Sequence, residues 1–94
     1  MAIVSFASTN TEALFKRGRV KALGPDVCKM GLRKLLILHA AASLNDLRVP
    51  PGNRLEALAG DRAGQHGIRV NDQFRLCFRW DGNNAHDVEI VDYH

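Results

Sequence analysis

With 94 residues the chain has room for one small domain, expected to span residues 1–94, because single domains typically run to about 100–200 residues. Its 46% hydrophobic and 24% charged residues are ordinary globular composition, which excludes a disordered tail or a collagen-like repeat. Thirteen Lys and Arg against ten Asp and Glu leave a net +3 and an isoelectric point near 9.2, the balance expected of a chain that meets a polyanion or carries a solvated basic face.

The apolar run Leu35–Leu38 is far too short for a membrane span, which needs about 20 residues. No basic stretch followed by an apolar one opens the chain, so neither a signal nor a transit peptide is expected. Cys28 and Cys77 both sit in apolar surroundings, and two embedded thiols fit a reducing cytoplasm better than a disulfide framework. No Cys or His pair has the spacing of a metal site, and neither a metal nor a cofactor is expected. Charge is uneven along the chain. Lys16 to Lys34 carries a net +6, Arg48 to Arg79 a net +3, and Asp81 to His94 a net −4.

Ile3 to Phe6 predicts an N-terminal strand. Thr9 with Glu12 three residues on is a capping-box signal for a first helix over about Asn10–Arg17, which Gly18 ends. Pro25 opens a longer helix reaching about Ala42. Its apolar stripe is Cys28, Leu32, Leu35, Leu36, Leu38, His39 and Ala42, with Asp26, Lys29 and Arg33 opposite. His39 within that stripe reads as a buried, hydrogen-bonded histidine, while Met30 and Ile37 break the polar face and hint at a second contact. Ser43 or Asn45 starts one more helical turn before Pro50-Pro51-Gly52 breaks the chain.

The period then changes to two. Gly67–Val70 reads as a strand, Asn71-Asp72 as its turn, and Phe74 to Trp80 as an amphipathic strand. Asp81–Asn84 is a second turn, and Val88 to Tyr93 supplies the last strand. Loops this short make the hairpins antiparallel. The expected fold class is α+β, an antiparallel sheet with two N-terminal helices packed on the face bearing Phe74, Leu76, Phe78 and Trp80. The other face carries Arg75 and Arg79, which either grip phosphates or pair across strands with Glu89 or Asp87.

The chain ends Asp92-Tyr93-His94. A histidine moves protons near neutral pH, a tyrosine ring stacks on a base, and an aspartate orients an imidazole or takes a proton. With nearby arginines these are the groups that cleave RNA through its own 2′-hydroxyl; by spacing alone a chance triplet reads the same way.

The chain resembles the HigB branch of the RelE-like toxins of bacterial toxin–antitoxin pairs, small ribosome-dependent mRNA interferases. The resemblance covers nearly the whole length. It rests on Phe6 with Glu12-Ala13-Leu14-Phe15, on the stretch Arg54 to Gly64 with its Gly60-Asp61-Arg62 loop, on Ile68 to Phe78, and on the closing Asp92-Tyr93-His94. It implies a RelE-like microbial RNase fold. It also implies a terminal catalytic group of Asp92, Tyr93 and His94, with Arg62 and Arg75 at matching basic positions near it; Arg69 and Arg79 are further candidate RNA contacts on the strands. The basic segment, through Lys16, Arg17, Lys29 and Arg33, becomes a grip on ribosomal RNA.

In well-studied members a His and a Lys precede the Gly-Asp-Arg loop, where this chain has Glu56 and Ala59. Glu56 is either an alternative base or a bystander, and a slower cut and a milder toxin are expected. The implied partners are a HigA-like helix-turn-helix antitoxin, the ribosome and mRNA; operator DNA is met only through the antitoxin, and no membrane is involved. The competing reading is a catalytically weakened ribosome- or rRNA-binding module that perturbs translation or ribosome assembly without cutting mRNA. A third is an interaction domain that only titrates its antitoxin.

Overall fold

The structure, a computed structural model, describes residues 2–93. Among these, two α-helices lead into an antiparallel sheet in the order β1-β2-β3-β4. Helix α1 spans Thr9–Arg17 and α2 Gly24–Ala40; the strands are β1 (Glu56–Ala57), β2 (His66–Arg69), β3 (Phe74–Asp81) and β4 (Asn84–Asp92). This is the α+β arrangement expected, and no helix among the described residues is long and apolar enough to cross a membrane.

Local chemistry sets the element ends. The cap of α1 is Ser8, one residue before the Thr9 expected from sequence, and its hydroxyl accepts the Thr11 N–H at 3.3 Å. Gly18 ends α1 in the left-handed region, φ 82, its N–H donating to the Leu14 carbonyl at 2.8 Å. Helix α2 stops at Ala40, so Ala42 falls outside it. Ser43 and Asp46 form the reciprocal cap of the expected extra turn, Leu44–Arg48.

The buried face of α2 is Val27, Cys28, Gly31, Lys34, Leu35 and Leu38. Leu36, expected in the stripe, is 54% exposed because it lies about 100° beyond Leu35 around the helix. Met30 and Ile37, which break the polar face, both pack partly buried against the core. Gly31 allows α2 to approach closely, since a Cβ there would stand 2.8 Å from Ile90 Cδ1 and 3.2 Å from Leu14 Cδ2. His39 is half-buried, edge-on to Phe15, with Nδ1 3.4 Å from the Ile3 N–H.

Lys34 is the departure no periodicity announced. Its ammonium is buried and donates to Asn53 Oδ1 at 2.6 Å, and the Asn53 amide in turn donates to the carbonyls of Leu47 and Val49. The expected turn at 44–48 and the break expected at 50–52 are thereby bound to α2.

Strand β4 begins at Asn84 rather than Val88, because the turn is tighter than expected: Asp81 pairs directly with Asn84 around Gly82. A bulge then places Asp87 at φ 53, its N–H held by the Ser5 hydroxyl at 2.9 Å. The expected N-terminal strand runs parallel along the outer edge of β4, but only as isolated bridges, Ile3 with Ala85 and Phe6 with Val88, on either side of that bulge. Buried Thr11 completes the edge by accepting the Ile90 N–H at 2.9 Å.

Candidate functional site

Pleating sorts β3 into two faces. Leu76 and Phe78 are buried under the helices with Leu14, Leu35, Leu38, Ile68 and Val88. Arg75, Cys77 and Arg79 alternate onto the opposite face, opposed by Arg69 and Gly67 on β2 and by Val91, Glu89 and His86 on β4. Glu56 joins them through its register with Gly67.

Gly67 shapes this face. With no side chain between β1 and β3, Arg75 reaches diagonally to Glu56, Nη1 to Oε1 2.9 Å, without the alignment of a hydrogen bond. Any Cβ at Gly67 would meet Leu58 at 3.4 Å, the side chain that covers this spot. On the other flank Arg62 donates from Nη1 to Glu89 Oε1 at 2.9 Å and to Gln65 Oε1 at 3.0 Å. The bond to Glu89 raises the Arg62 pKa above its ordinary value. Between the two ion pairs lies the Cys77 thiol, wholly buried; burial pushes its pKa up, and nearby Arg62 only partly opposes that. This thiol is unreactive packing rather than a nucleophile.

Tyr93 follows on the same face two residues beyond Val91, and its ring lies under Arg75, with the guanidinium carbon 5.3 Å from the ring centroid. Its N–H donates to the Gln73 carbonyl at 2.8 Å, which holds the chain end against β3. Asp92 is in register with Phe74, so the pleat turns it to the opposite side, where Oδ2 accepts from Gln73 Nε2 at 3.0 Å. Strand alternation thus parts Asp92 from Tyr93. His94 lies outside the described residues.

The sequence-derived site residues therefore fall into separate groups. Tyr93, Arg75, Glu56 and Arg62 come together. Arg69 is drawn to Asp72 in its own turn, and Arg79 pairs with Asp87 at 2.7 Å nearer the β3–β4 hairpin. Of the pairings expected across strands, Arg79 with Asp87 is present, whereas Arg75 takes Glu56 and leaves Glu89 to Arg62. Lys16, Arg17, Lys29 and Arg33 are exposed on the helices, which cover the other side of the sheet, with Lys16 bound to Glu12 at 2.9 Å. They do not line the open face. Glu89 and Gln65 went unrecognised as Arg62 partners, since a contact spanning 27 residues leaves no local pattern; the strand alternation that opposes Glu89 to Cys77 was the available signal.

This face offers an aromatic ring, guanidinium groups and carboxylates in hydrogen-bond reach of one another, groups able to bind a nucleotide and move protons around a phosphodiester. Among the described residues no cluster of three or more His, Cys, Asp or Glu is arranged to hold a metal ion.

Residues 4–94 match the family model described as the RelE-like toxin of type II toxin–antitoxin system HigB. A curated relative, Toxin HigB-1 of Vibrio cholerae, is 58% identical over 48 residues, 51% of this chain and 50% of that protein. An uncharacterized protein of Haemophilus influenzae is 38% identical over 62 residues, 66% of this chain and 61% of its own length. The chain thus spans about half to three fifths of the curated relatives it matches. A YoeB/ParE toxin from Agrobacterium tumefaciens superposes over the full length of both chains with a TM-score of 0.56 at 17% identity, a likeness of fold.

Proposed function

The chain belongs to the HigB family of RelE-like toxins of type II toxin–antitoxin systems, and from that premise we propose that it is an endoribonuclease that cuts ribosome-bound mRNA in the decoding site. The observation that carries the reading is the stack of Arg75 on Tyr93, which sets a cation beside a ring at the open end of the sheet. A base laid on Tyr93 brings its phosphate toward Arg75.

In the proposed reaction the RNA 2′-oxygen attacks the adjacent phosphorus while the bond to the 5′-oxygen breaks. Glu56, 2.9 Å from Arg75, takes the 2′-hydroxyl proton, and Arg75 and Arg62 offset the charge that grows on the phosphorane. His94 protonates the departing 5′-oxygen; Asp92, turned to the opposite side and bonded to Gln73, takes no step in this scheme. The products are a 2′,3′-cyclic phosphate and a free 5′-hydroxyl. A helix-turn-helix antitoxin is the proposed partner, and the exposed Lys29 and Arg33 on α2 the proposed grip on ribosomal RNA.

Primer extension on a defined mRNA, translated by purified ribosomes with and without the protein, tests this. Codon-phased cuts that require ribosomes and vanish in His94→Ala are expected. Inhibited translation on uncut mRNA would establish the second reading, a ribosome-binding module. One observation favours that alternative: Glu56 and Glu89 already neutralise Arg75 and Arg62, so the face carries less free positive charge than its arginines suggest.

A further inference from the structure

Strand β3 outruns its neighbour. Pairing with β2 reaches only His66 opposite Phe78, so residues 79–81 keep one edge unpaired. Against that edge lies a cavity of about 450 Å³ lined by Gly64, Arg79, Trp80, Asp81 and His86. Arg79 shares its face with Arg75, four residues or about 13 Å along the strand, but the Arg62–Glu89 pair and buried Cys77 lie between them. The cavity therefore stands apart from the Tyr93 group, at the strand edge where Trp80 from the core side also reaches it.

Its chemistry is that of a nucleotide site. Trp80 is half-buried and edge-on to Phe78, and its indole N–H is already spent on the Gly82 carbonyl at 2.8 Å. What the indole has left to offer is ring surface. His86, half-buried and in register with Arg79, adds a second ring. Among the described residues the Arg79 guanidinium pairs with Asp87, at 2.7 Å and with both side chains about half exposed, a pairing that a phosphate exchanges at little cost. Asp81, also in the lining, repels phosphate and so leaves Arg79 as the place where it settles.

We propose that this cavity is a second nucleotide subsite, taking one nucleotide of single-stranded RNA with its base against Trp80 and His86 and its phosphate on Arg79. The proposal rests on the reading that RNA lies along this face. It adds a hold on the strand away from the cut, and with it a determinant of where along the message the cut falls.

Trp80 is the chain's one tryptophan, so its emission reports on this cavity. The probe is a short fluorescein-labelled oligouridylate with 2′-O-methyl riboses, which lacks the nucleophile and cannot be cut. It is titrated into the full chain while label anisotropy and tryptophan emission are followed together. Saturable quenching in step with anisotropy is expected, weakened at least about fivefold by Arg79→Ala and by His86→Ala. Arg79 is exposed and His86 half-buried, and both variants should melt as the parent does.

Binding seen by anisotropy with unchanged tryptophan emission would overturn the subsite, as would unaltered affinity in both variants or no binding up to millimolar RNA. Equal quenching by inorganic phosphate would reduce it to an anion site and overturn the nucleotide claim. Because the probe is uncleavable, quenching without codon-phased cuts on ribosomes would sink the endoribonuclease reading alone. Cuts without quenching would sink the subsite alone.

Discussion

Arg75 and Tyr93 meet as cation over ring, at 5.3 Å, although 17 residues of hairpin and strand separate them in the chain. The contact exists because β4 returns antiparallel to β3 and carries Tyr93 just past the residue that opposes Arg75. A ring so placed is 39% exposed and free to accept a base on its outer side.

Tyr93→Phe keeps the ring and the cation contact, whereas Tyr93→Ala removes both. Ribosome-dependent cleavage by Tyr93→Ala should fall at least about tenfold, with Tyr93→Phe closer to the parent, since a stacked base is worth about 1–3 kcal/mol. Melting of both variants should stay within about 0.5 kcal/mol of the parent, as for other exposed positions. Equal cleavage in all three proteins would remove the stack from the mechanism.

Glu89 is the main partner of a half-buried Arg62, so Glu89→Gln should destabilise the fold by about 1–2 kcal/mol in urea unfolding. A double-mutant cycle with Arg62→Met should return a coupling of about 1 kcal/mol. No coupling would mean that Gln65 alone holds the arginine.

Lys34 makes stability depend on alkaline pH. Burial lowers its pKa below 10.5, and the neighbouring charges of Arg33 and Arg69 act in the same direction. Below the lowered value both native and unfolded chains hold the proton, and the native state bears the full cost of a buried cation. Between that value and 10.5 the unfolded chain binds more protons than the native one, so stability rises with pH across this window. Urea midpoints measured upward from about pH 7 should climb for the parent and stay flatter in Lys34→Met. Parallel curves would show that Lys34 does not titrate out of step with the unfolded chain. Asn53→Ala, which strands the buried ammonium, should cost about 2–3 kcal/mol.

Gly31 tests the seating of α2. An alanine gains about 1 kcal/mol of helix propensity but pushes on the tips of Ile90 and Leu14, flexible ends that can yield. The net change for Gly31→Ala should lie within about 1 kcal/mol. Gly31→Leu should cost more than about 3 kcal/mol or prevent folding, because no repacking of two side-chain tips makes that room. A stable Gly31→Leu would mean that α2 is less tightly seated than its contacts indicate.

Much of this molecule could be read along the chain because the deciding forces are local. Gly18 ends a helix through its own backbone freedom, Ser43 and Asp46 cap a turn three residues apart, and alternation from Phe74 to Trp80 is already a two-faced strand. The terminal triplet and the Gly-Asp-Arg loop carried the family resemblance, and the family match covers residues 4–94. The site was legible only in part. Arg75, Tyr93, Glu56 and Arg62 do share a face, yet nothing local tells which carboxylate each arginine takes.

Tertiary structure decided the rest. Whether Lys34 faces water or Asn53 depends on a loop 19 residues away, and a helical wheel that treats lysine as polar cannot find it. Leu36 is exposed and Met30 partly buried because helix geometry fixes each side chain's angle while the elements packed against α2 fix how wide an arc is covered. Arg75 reaches Glu56 only across the gap at Gly67, and Arg62 finds Glu89 only once its loop folds back over the sheet. Sequence by itself determined the two helices, the three-strand meander β2–β4 and its two-faced patterning, since those follow from backbone freedom and side-chain spacing within a few residues. By contrast β1, the start of β4 and the reduction of the N-terminal strand to two bridges came from pairing across the fold. Charge pairing and the composition of the open face awaited the fold, because they depend on distances between residues that meet only when the strands are laid side by side.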